Sequence, residues 1–410
     1  MSTQNAPEDV IAEALERAFG GAVPERIGVA VSGGSDSMAL LDLLRLSGVV
    51  EICVASVNHG LRAEAAEELA LVAAYAAQHG LSHDILDWHW DGTGNLQAAA
   101  RDGRRAALHD WAVRRGIAHV ALGHTADDQA ETFLMRLARG SGVDGLAGMA
   151  EARPDGAVTW LRPLLGARRE ALREHLRATG ILWADDPSNK DTRFDRVKAR
   201  QMMQTLAPLG LTVERLVKTS QHMARQKDVL DGFAELIEPI AVDYDGPDVM
   251  LDRGALSDQP EAVRTKIMAD ALCEVSGQAY RPRYRALVGA MSAGAPTALH
   301  GCLVMPGLTH LRITREFAAV KDLRCAIDGI WDGRWKLMAG PGITQDGLHI
   351  AALGGSGLAL CENWRDLEIP RQSLLATPAV WRNAELIAAP LVGFGEGWYA
   401  ELVDGRTVFG

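Results

Sequence analysis

An apolar run of five residues, IGVAV at 27–31, passes directly into Ser32-Gly33-Gly34-Ser35-Asp36-Ser37 and then into MALLDLLRL. A run that is apolar at every position suits a strand covered on both faces, the situation of a parallel sheet layered by helices. The segment after the glycine turn has helical composition and stops at Gly48, as helices commonly do. Strand, tight turn and helix in this order commit the start of the chain to an α/β fold.

The next segments repeat the alternation. Strands are expected at 49–57, 84–88 and 119–122, and helices at 62–79, 96–115 and 126–139. Such a series predicts a parallel sheet with right-handed crossovers. A glycine-rich stretch at 140–148 interrupts it, followed by a last strand or edge at 159–165, a basic helix at 167–179 and a loop at 183–194. Helical pattern returns at 195 and continues with breaks to 293. From 296 short alternating runs separated by Gly and Pro indicate a small mixed, β-rich tail. The expected division is 1–205, 206–295 and 296–410, in keeping with roughly 100–200 residues per domain.

Composition removes several classes. The chain is 48% hydrophobic and 23% charged, ordinary values for a folded protein. It has no apolar run long enough to span a membrane. The N-terminus carries acids and no apolar h-region, so no secretory signal is expected. Five dispersed cysteines without a C-x-x-C pair fit neither a disulfide framework nor a zinc or iron–sulfur site, and point to a reducing cytoplasm. The net charge of −11 argues against a generic nucleic-acid coat, yet 160–227 holds 14 Lys/Arg against 7 Asp/Glu. A local basic face can therefore meet a phosphate backbone.

The glycine turn after 27–31 has the makings of an anion site. Two glycines allow close approach, helix-start N–H groups point at the anion, and three hydroxyls add donors. Asp36 is negative and is explained by a Mg²⁺ between it and the phosphates. Ser32, Gly33, Gly34, Ser35, Asp36 and Ser37 are thus the nucleotide-binding set, with His124 at the end of the strand at 119–122 beside them. His124 and His59 each stand at a strand end, where packing and ligand contact are both open. Arg101 and Arg104 share a helix face at i, i+3. Asp127, Asp128 and Glu131 begin the helix at 126–139. They either complement its positive end or grip a cation.

SGGSDS between strand and helix resembles the pyrophosphate loop of the N-type ATP pyrophosphatases. VNHGLR at 57–62, Ala100-Arg101 with Arg104, GHTADDQAET at 123–132, LARGSGVDGLAGM, LRPLL and WADDPSNKDTRFDR follow in order. Together they resemble the tRNA(Ile)-lysidine synthetase family across about 27–200, and WDGRW at 331–335 is a weaker similarity in the tail. The resemblance implies an adenine nucleotide alpha hydrolase-like catalytic domain (a PP-loop ATP pyrophosphatase), a helical tRNA-contacting domain and a small β-rich one. It implies that ATP adenylates the C2 oxygen of the wobble cytidine in an isoleucine tRNA with a CAU anticodon. Free L-lysine then displaces AMP. In that scheme Asp36 holds Mg²⁺, and Arg101 and Arg104 meet the activated intermediate. Asp128 and Glu131 bind lysine and serve the proton transfer. Arg193, Arg196, Lys198 and Arg200 contact tRNA, and Asp186-Pro187-Ser188-Asn189 closes the site or faces the tRNA. A monomer and a homodimer both remain open.

Three positions depart from the family pattern: Thr125 stands where a second histidine is common, Arg105 where an aromatic is, and Val197 where an asparagine is. The competing readings are another adenylating enzyme of the superfamily and an inactive RNA-binding relative. The missing cysteine pairs speak against a thiolating enzyme, and intact SGGSDS and DDQAET against a dead site.

Overall fold

The computed structural model describes residues 6–20, 24–58, 60, 65–90, 92, 96–185, 193, 195–278 and 280–403. The chain forms two compact units, Met1–Lys227 and Asp228–Gly410. Among the described residues no helix is long and apolar enough to cross a membrane.

The first unit runs α1 (Pro7–Phe19), β1 (Arg26–Ala30), α2 (Ser35–Leu46), β2 (Glu51–Asn58), α3 (Ala65–Gln78), β3 (Ser82–Asp87), α4 (Leu96–Arg115), β4 (His119–Leu122) and α5 (Ala126–Ala138). Then come α6 (Val143–Leu146), β5 (Ala152–Asp155), β6 (Val158–Leu161), α7 (Arg169–Thr179) and α8 (Asp195–Leu206). Its sheet has the order β3-β2-β1-β4-β6-β5. Every pair is parallel except the edge strand β5, which turns back antiparallel on β6. The α/β expectation holds. The sequence pattern missed α1 and also β5, an edge strand of only four residues, two of them charged.

Burial follows from the strand composition. Ile27, Val29 and Val31 face one layer, with Leu40, Leu41 and Leu44 of α2 and Leu172 and Leu176 of α7. Ala30, Cys53, Ala55 and Val120 face the other, under Leu108, Trp111 and Ala112 of α4. Gly28 is required inside β1, since a Cβ there would lie 2.9 Å from the Trp111 ring. The order also puts β1 between β2, which precedes it towards one edge, and β4, which continues towards the other. Chain connections diverge at this point, and sheets of this type bind ligands at the carboxyl ends of such strands.

Helix α9 (Val213–Ala241) starts in the first unit and ends in the second. The second unit continues with β7 (Val242–Asp245), β8 (Asp248–Asp252), α10 (Arg253–Ser257), α11 (Glu261–Ser276), α12 (Tyr284–Ser292), β9 (Thr297–Leu299), β10 (Cys302–Pro306) and β11 (His310–Arg315). These strands make an antiparallel sheet, β7-β8-β11-β10-β9, with α11 supplying Ile267, Met268 and Leu272 to its core. The expected boundary at 295/296 therefore falls inside one hydrogen-bonded layer. The signal was a short hairpin: two runs on either side of Gly246-Pro247, set within helical sequence. Short strands in two smaller sheets complete the tail. Trp331 and Trp335 of WDGRW are both buried there, closing a turn in which Trp331 N–H donates to the Trp335 carbonyl at 2.8 Å.

Candidate active site

The loop between β1 and α2 is shaped by its own side chains. Gly33 has φ +83°, and a Cβ on it would sit 2.9 Å from the Glu68 carbonyl oxygen, so only glycine fits. The Ser37 hydroxyl donates to the Gly34 carbonyl at 3.0 Å and accepts from Ser32 N–H at 3.2 Å. Ser37 thus fixes the turn, where the sequence suggested a free donor. The Ser35 hydroxyl donates to Asp36 Oδ1 at 3.1 Å and accepts from Arg173 Nε at 3.3 Å. What remains for an anion is the start of α2, which no side chain caps, with its helix dipole, and the exposed Ser32.

The loop after β4 lies flush against this turn. A Cβ on Gly123 would approach Ser37 Cα and N at 3.1 Å. Thr125 then caps α5 in a capping box: its N–H and hydroxyl each donate to Asp128 Oδ2 at 2.9 Å. Thr125 therefore has a helix-starting duty that explains its tolerance at a position where histidine is common. One Asp128 oxygen serves the cap, as dipole-complementing acids do. The other, Oδ1, accepts from Arg169 at 3.0 Å.

Arg169, the first residue of α7, is the centre of an acid group. Its guanidinium reaches Asp36 Oδ2 at 2.8 Å, Asp128 Oδ1 at 3.0 Å and Glu131 Oε1 at 3.5 Å. Glu131 is fully buried; its Oε1 also takes Arg200 Nε at 2.9 Å, and its Oε2 has no partner among the described residues. Burial, with Asp128 adding to it, raises the Glu131 pKa above the usual range against the pull of both arginines. Burial also raises that of Asp36, opposed by Arg169. In Asp128 burial acts the same way, but Arg169 and the Thr125 donors overcome it, and its pKa falls. Asp127 is outside the group. It accepts from the Arg169 backbone N–H at 2.8 Å and pairs with Arg168 at 3.2 Å, tying α5 to α7.

His124 joins the acids to a set of arginines. It lies within electrostatic reach of Asp128 and of Arg162, Arg196 and Arg104, and its buried Nδ1 has no partner among the described residues. Burial, assisted by the three arginines, holds its pKa down at about 4. It is a neutral imidazole at pH 7. Arg162, just past β6, has like-charged neighbours in Arg153, Arg101 and Arg105. Arg105 bonds Asp155 at 2.6 Å, linking α4 to the β5–β6 edge, a role an aromatic could not fill.

The remaining expected residues divide. Arg196 and Lys198 are exposed on α8, Lys198 beside Asp195 at 3.4 Å, and Arg193 is exposed just before that helix. Arg200 turns inward to Glu131. Val197 is buried, so an apolar side chain suits the place. His59, Asp186, Pro187, Ser188, Asn189, Asp191 and Phe194 lie outside the described residues. Arg169, Arg173, Arg153 and Arg162 were not singled out from sequence. The basic helix at 167–179 and LRPLL were visible as segments, but nothing local marked which arginine turns inward. Among the described residues no group of three or more His, Cys, Asp or Glu is arranged to hold a metal.

The PP-loop domain family matches residues 7–206. The tRNA(Ile)-lysidine synthase of Ruegeria pomeroyi is 46% identical over 402 residues, spanning 96% of this chain and 95% of that protein. The tRNA(Ile)-lysidine synthase of Methylobacterium sp. strain 4-46 is 39% identical over 284 residues, 66% of this chain and 83% of its own length. That of Wolbachia pipientis wMel is 29% identical over 391 residues, 90% and 89% of the two chains. Identity at this level along almost the entire length, on a fold with the phosphate loop and its acids in place, makes the chain a member of the tRNA(Ile)-lysidine synthase family.

Proposed function

We propose that the chain is a ligase that forms lysidine. It joins free L-lysine to C2 of the wobble cytidine of an isoleucine tRNA with a CAU anticodon, at the expense of ATP. The observation that carries this reading is the acid group of Asp36, Asp128 and Glu131 beside the phosphate loop, with His124 in electrostatic reach of Asp128 and of Arg104, Arg162 and Arg196. The acids suit an amine substrate and the arginines an anionic RNA.

In the first step the cytidine O2 attacks the α-phosphorus of ATP and pyrophosphate leaves. The start of α2 and Ser32 hold the phosphates, and helix N–H groups offset the charge of the leaving pyrophosphate. Asp36 suits Mg²⁺, which takes one or two carboxylates together with phosphate oxygens. It is partly exposed. Bound there, the ion would neutralise phosphate charge. Neutral His124 offers a hydrogen bond without adding charge. Extrusion of the base is easier from an anticodon loop than from a duplex.

In the second step the lysine amine attacks C2 and AMP leaves with the bonding pair to its oxygen. Glu131 is the base we assign: it is buried, has an unpartnered oxygen, and has its proton affinity raised. Asp128 stays ionised and attracts the ammonium. Arg169 and Arg200 hold these carboxylates in the unliganded protein, so the incoming ammonium exchanges with guanidinium groups at a site already built for a cation. Arg104 meets the adenylated base. Arg193, Arg196 and Lys198 serve the tRNA backbone, and the tail contributes further tRNA contacts.

The test is incorporation of labelled lysine into isoleucine tRNA(CAU) with ATP and Mg²⁺. Stoichiometric lysine transfer with AMP and pyrophosphate release is expected. AMP formation that requires another nucleophile would make the chain a different adenylating enzyme. Binding of tRNA with no AMP would make it a binding protein.

A further inference from the structure

At the carboxyl end of β6 and the adjoining edge strand β5, arginines gather almost without acids. Arg162 follows β6 directly, Arg153 lies on β5 opposite Trp160, and Arg101 lies in the second turn of α4. The acids of this edge are already committed. Asp155 takes Arg105 at 2.6 Å and the Trp160 indole N–H at 2.8 Å, and Glu151 takes Arg17 at 2.8 Å. Among the described residues neither Arg101 nor Arg153 has a hydrogen-bonded or ion-paired partner.

Arg162 is the sharpest of these observations. One terminal nitrogen donates to the Ala150 carbonyl at 2.7 Å, while Nε is buried and has no acceptor among the described residues. Burial, and then Arg153, Arg101 and Arg105, press its pKa down to about 10. A buried donor without an acceptor, surrounded by like charge, is a costly arrangement. An anion placed among the three guanidinium groups satisfies the donor and removes the repulsion together. Their planar forks match the oxygens of phosphate.

The nucleotide's own phosphates have their cradle at Ser32–Ser37, after β1, with β4 between that strand and β6. The second anion is therefore another phosphate. We propose that Arg101, Arg153 and Arg162 form a pocket for a backbone phosphate of the RNA substrate, beside the nucleotide that enters the site. This rests on the lysidine-forming reading, and it extends the RNA footprint from α8 to the β5–β6 edge.

The test compares Arg153→Gln and Arg162→Lys with wild type in tRNA(CAU) binding across a salt series, with ATP affinity measured separately without tRNA. Arg153→Gln should weaken tRNA binding about three- to tenfold and lower the slope of log K against log salt by about 0.7–0.9, the share of one phosphate. Arg162→Lys keeps the charge and loses the fork, so affinity should fall with little change in slope. ATP affinity should stay at the wild-type value in both. Wild-type tRNA affinity and slope in both variants would overturn the pocket while leaving the reading intact. Lost ATP affinity with tRNA binding preserved would assign the arginines to the nucleotide and overturn it equally. If Arg162→Lys fails to fold by circular dichroism, Arg153→Gln, at an edge strand, decides alone. A wild-type chain that neither binds tRNA nor forms lysidine removes the reading, and the pocket with it.

Discussion

At the scale of single residues, the site separates two carboxylates that sequence leaves equivalent. Asp128 divides its oxygens between the Thr125 cap and Arg169, and its pKa falls. Glu131 keeps an unpartnered oxygen in a fully buried place, and its pKa rises. Neighbouring acids pushed apart in this way take different roles. Glu131→Gln should lower lysine transfer by about 10²–10⁴, the usual worth of a general base. Adenylation, read as tRNA-dependent AMP formation with hydroxylamine as a substitute nucleophile, should stay near wild type. Equal loss of both steps would end the assignment. The same shift fixes a pH dependence. A base with a raised pKa is protonated earlier as pH falls, so transfer from a preformed adenylate should decline in a window above the ordinary glutamate value of about 4.3. A profile flat down to that value would place the base elsewhere.

At the scale of elements, α5 is held in place by its first turn. Thr125 caps it, Asp127 fastens it to α7 through the Arg169 N–H, and Gly123 lets the preceding loop rest on α2. Thr125→Ala should cost about 1 kcal/mol in urea unfolding, the typical worth of a cap. It should also reduce lysine transfer more than Thr125→Ser, because Asp128 Oδ2 loses its hydroxyl donor and the Asp128 N–H loses its acceptor. A Thr125→Ala variant with unchanged stability would mean that Asp128 alone holds the turn. This element also marks what a sequence conveys. The strand at 27–31, the glycine turn, α4, β4 and α5 were legible because each is written in a local pattern of apolar spacing, caps and turns. That Asp127 braces a helix while Asp128 faces the site was not legible, since adjacent residues with the same side chain differ only in where α7 brings its arginines. Arg169 and Arg162 escaped for the same reason. Their roles depend on partners 133 positions away in one case and on a missing partner in the other. The β7–β8 hairpin was hidden by the helices on either side of it.

At the scale of the whole molecule, every residue assigned here to the nucleotide lies in one unit. The loop at 32–37, His124 and the acids of α5 all belong to Met1–Lys227, and the buried clusters of that unit share no residue with those of Asp228–Gly410. A ligand that binds only the folded form stabilises what it touches, by about 2.7 kcal/mol at a hundredfold excess over Kd. ATP with Mg²⁺ should therefore slow amide exchange through β1, α2, β4 and α5, where opening the backbone breaks the cradle. Exchange in the sheet of β8, β10 and β11 should be unchanged, since every residue assigned to ATP lies in the other unit. Addition of tRNA should then slow exchange at β5 and α8, whose Arg153 and Arg196 ATP alone leaves uncompensated. Protection of β10 and β11 by ATP to the same degree as β1 would show that the nucleotide is read by both units, and would move part of its site out of the PP-loop domain.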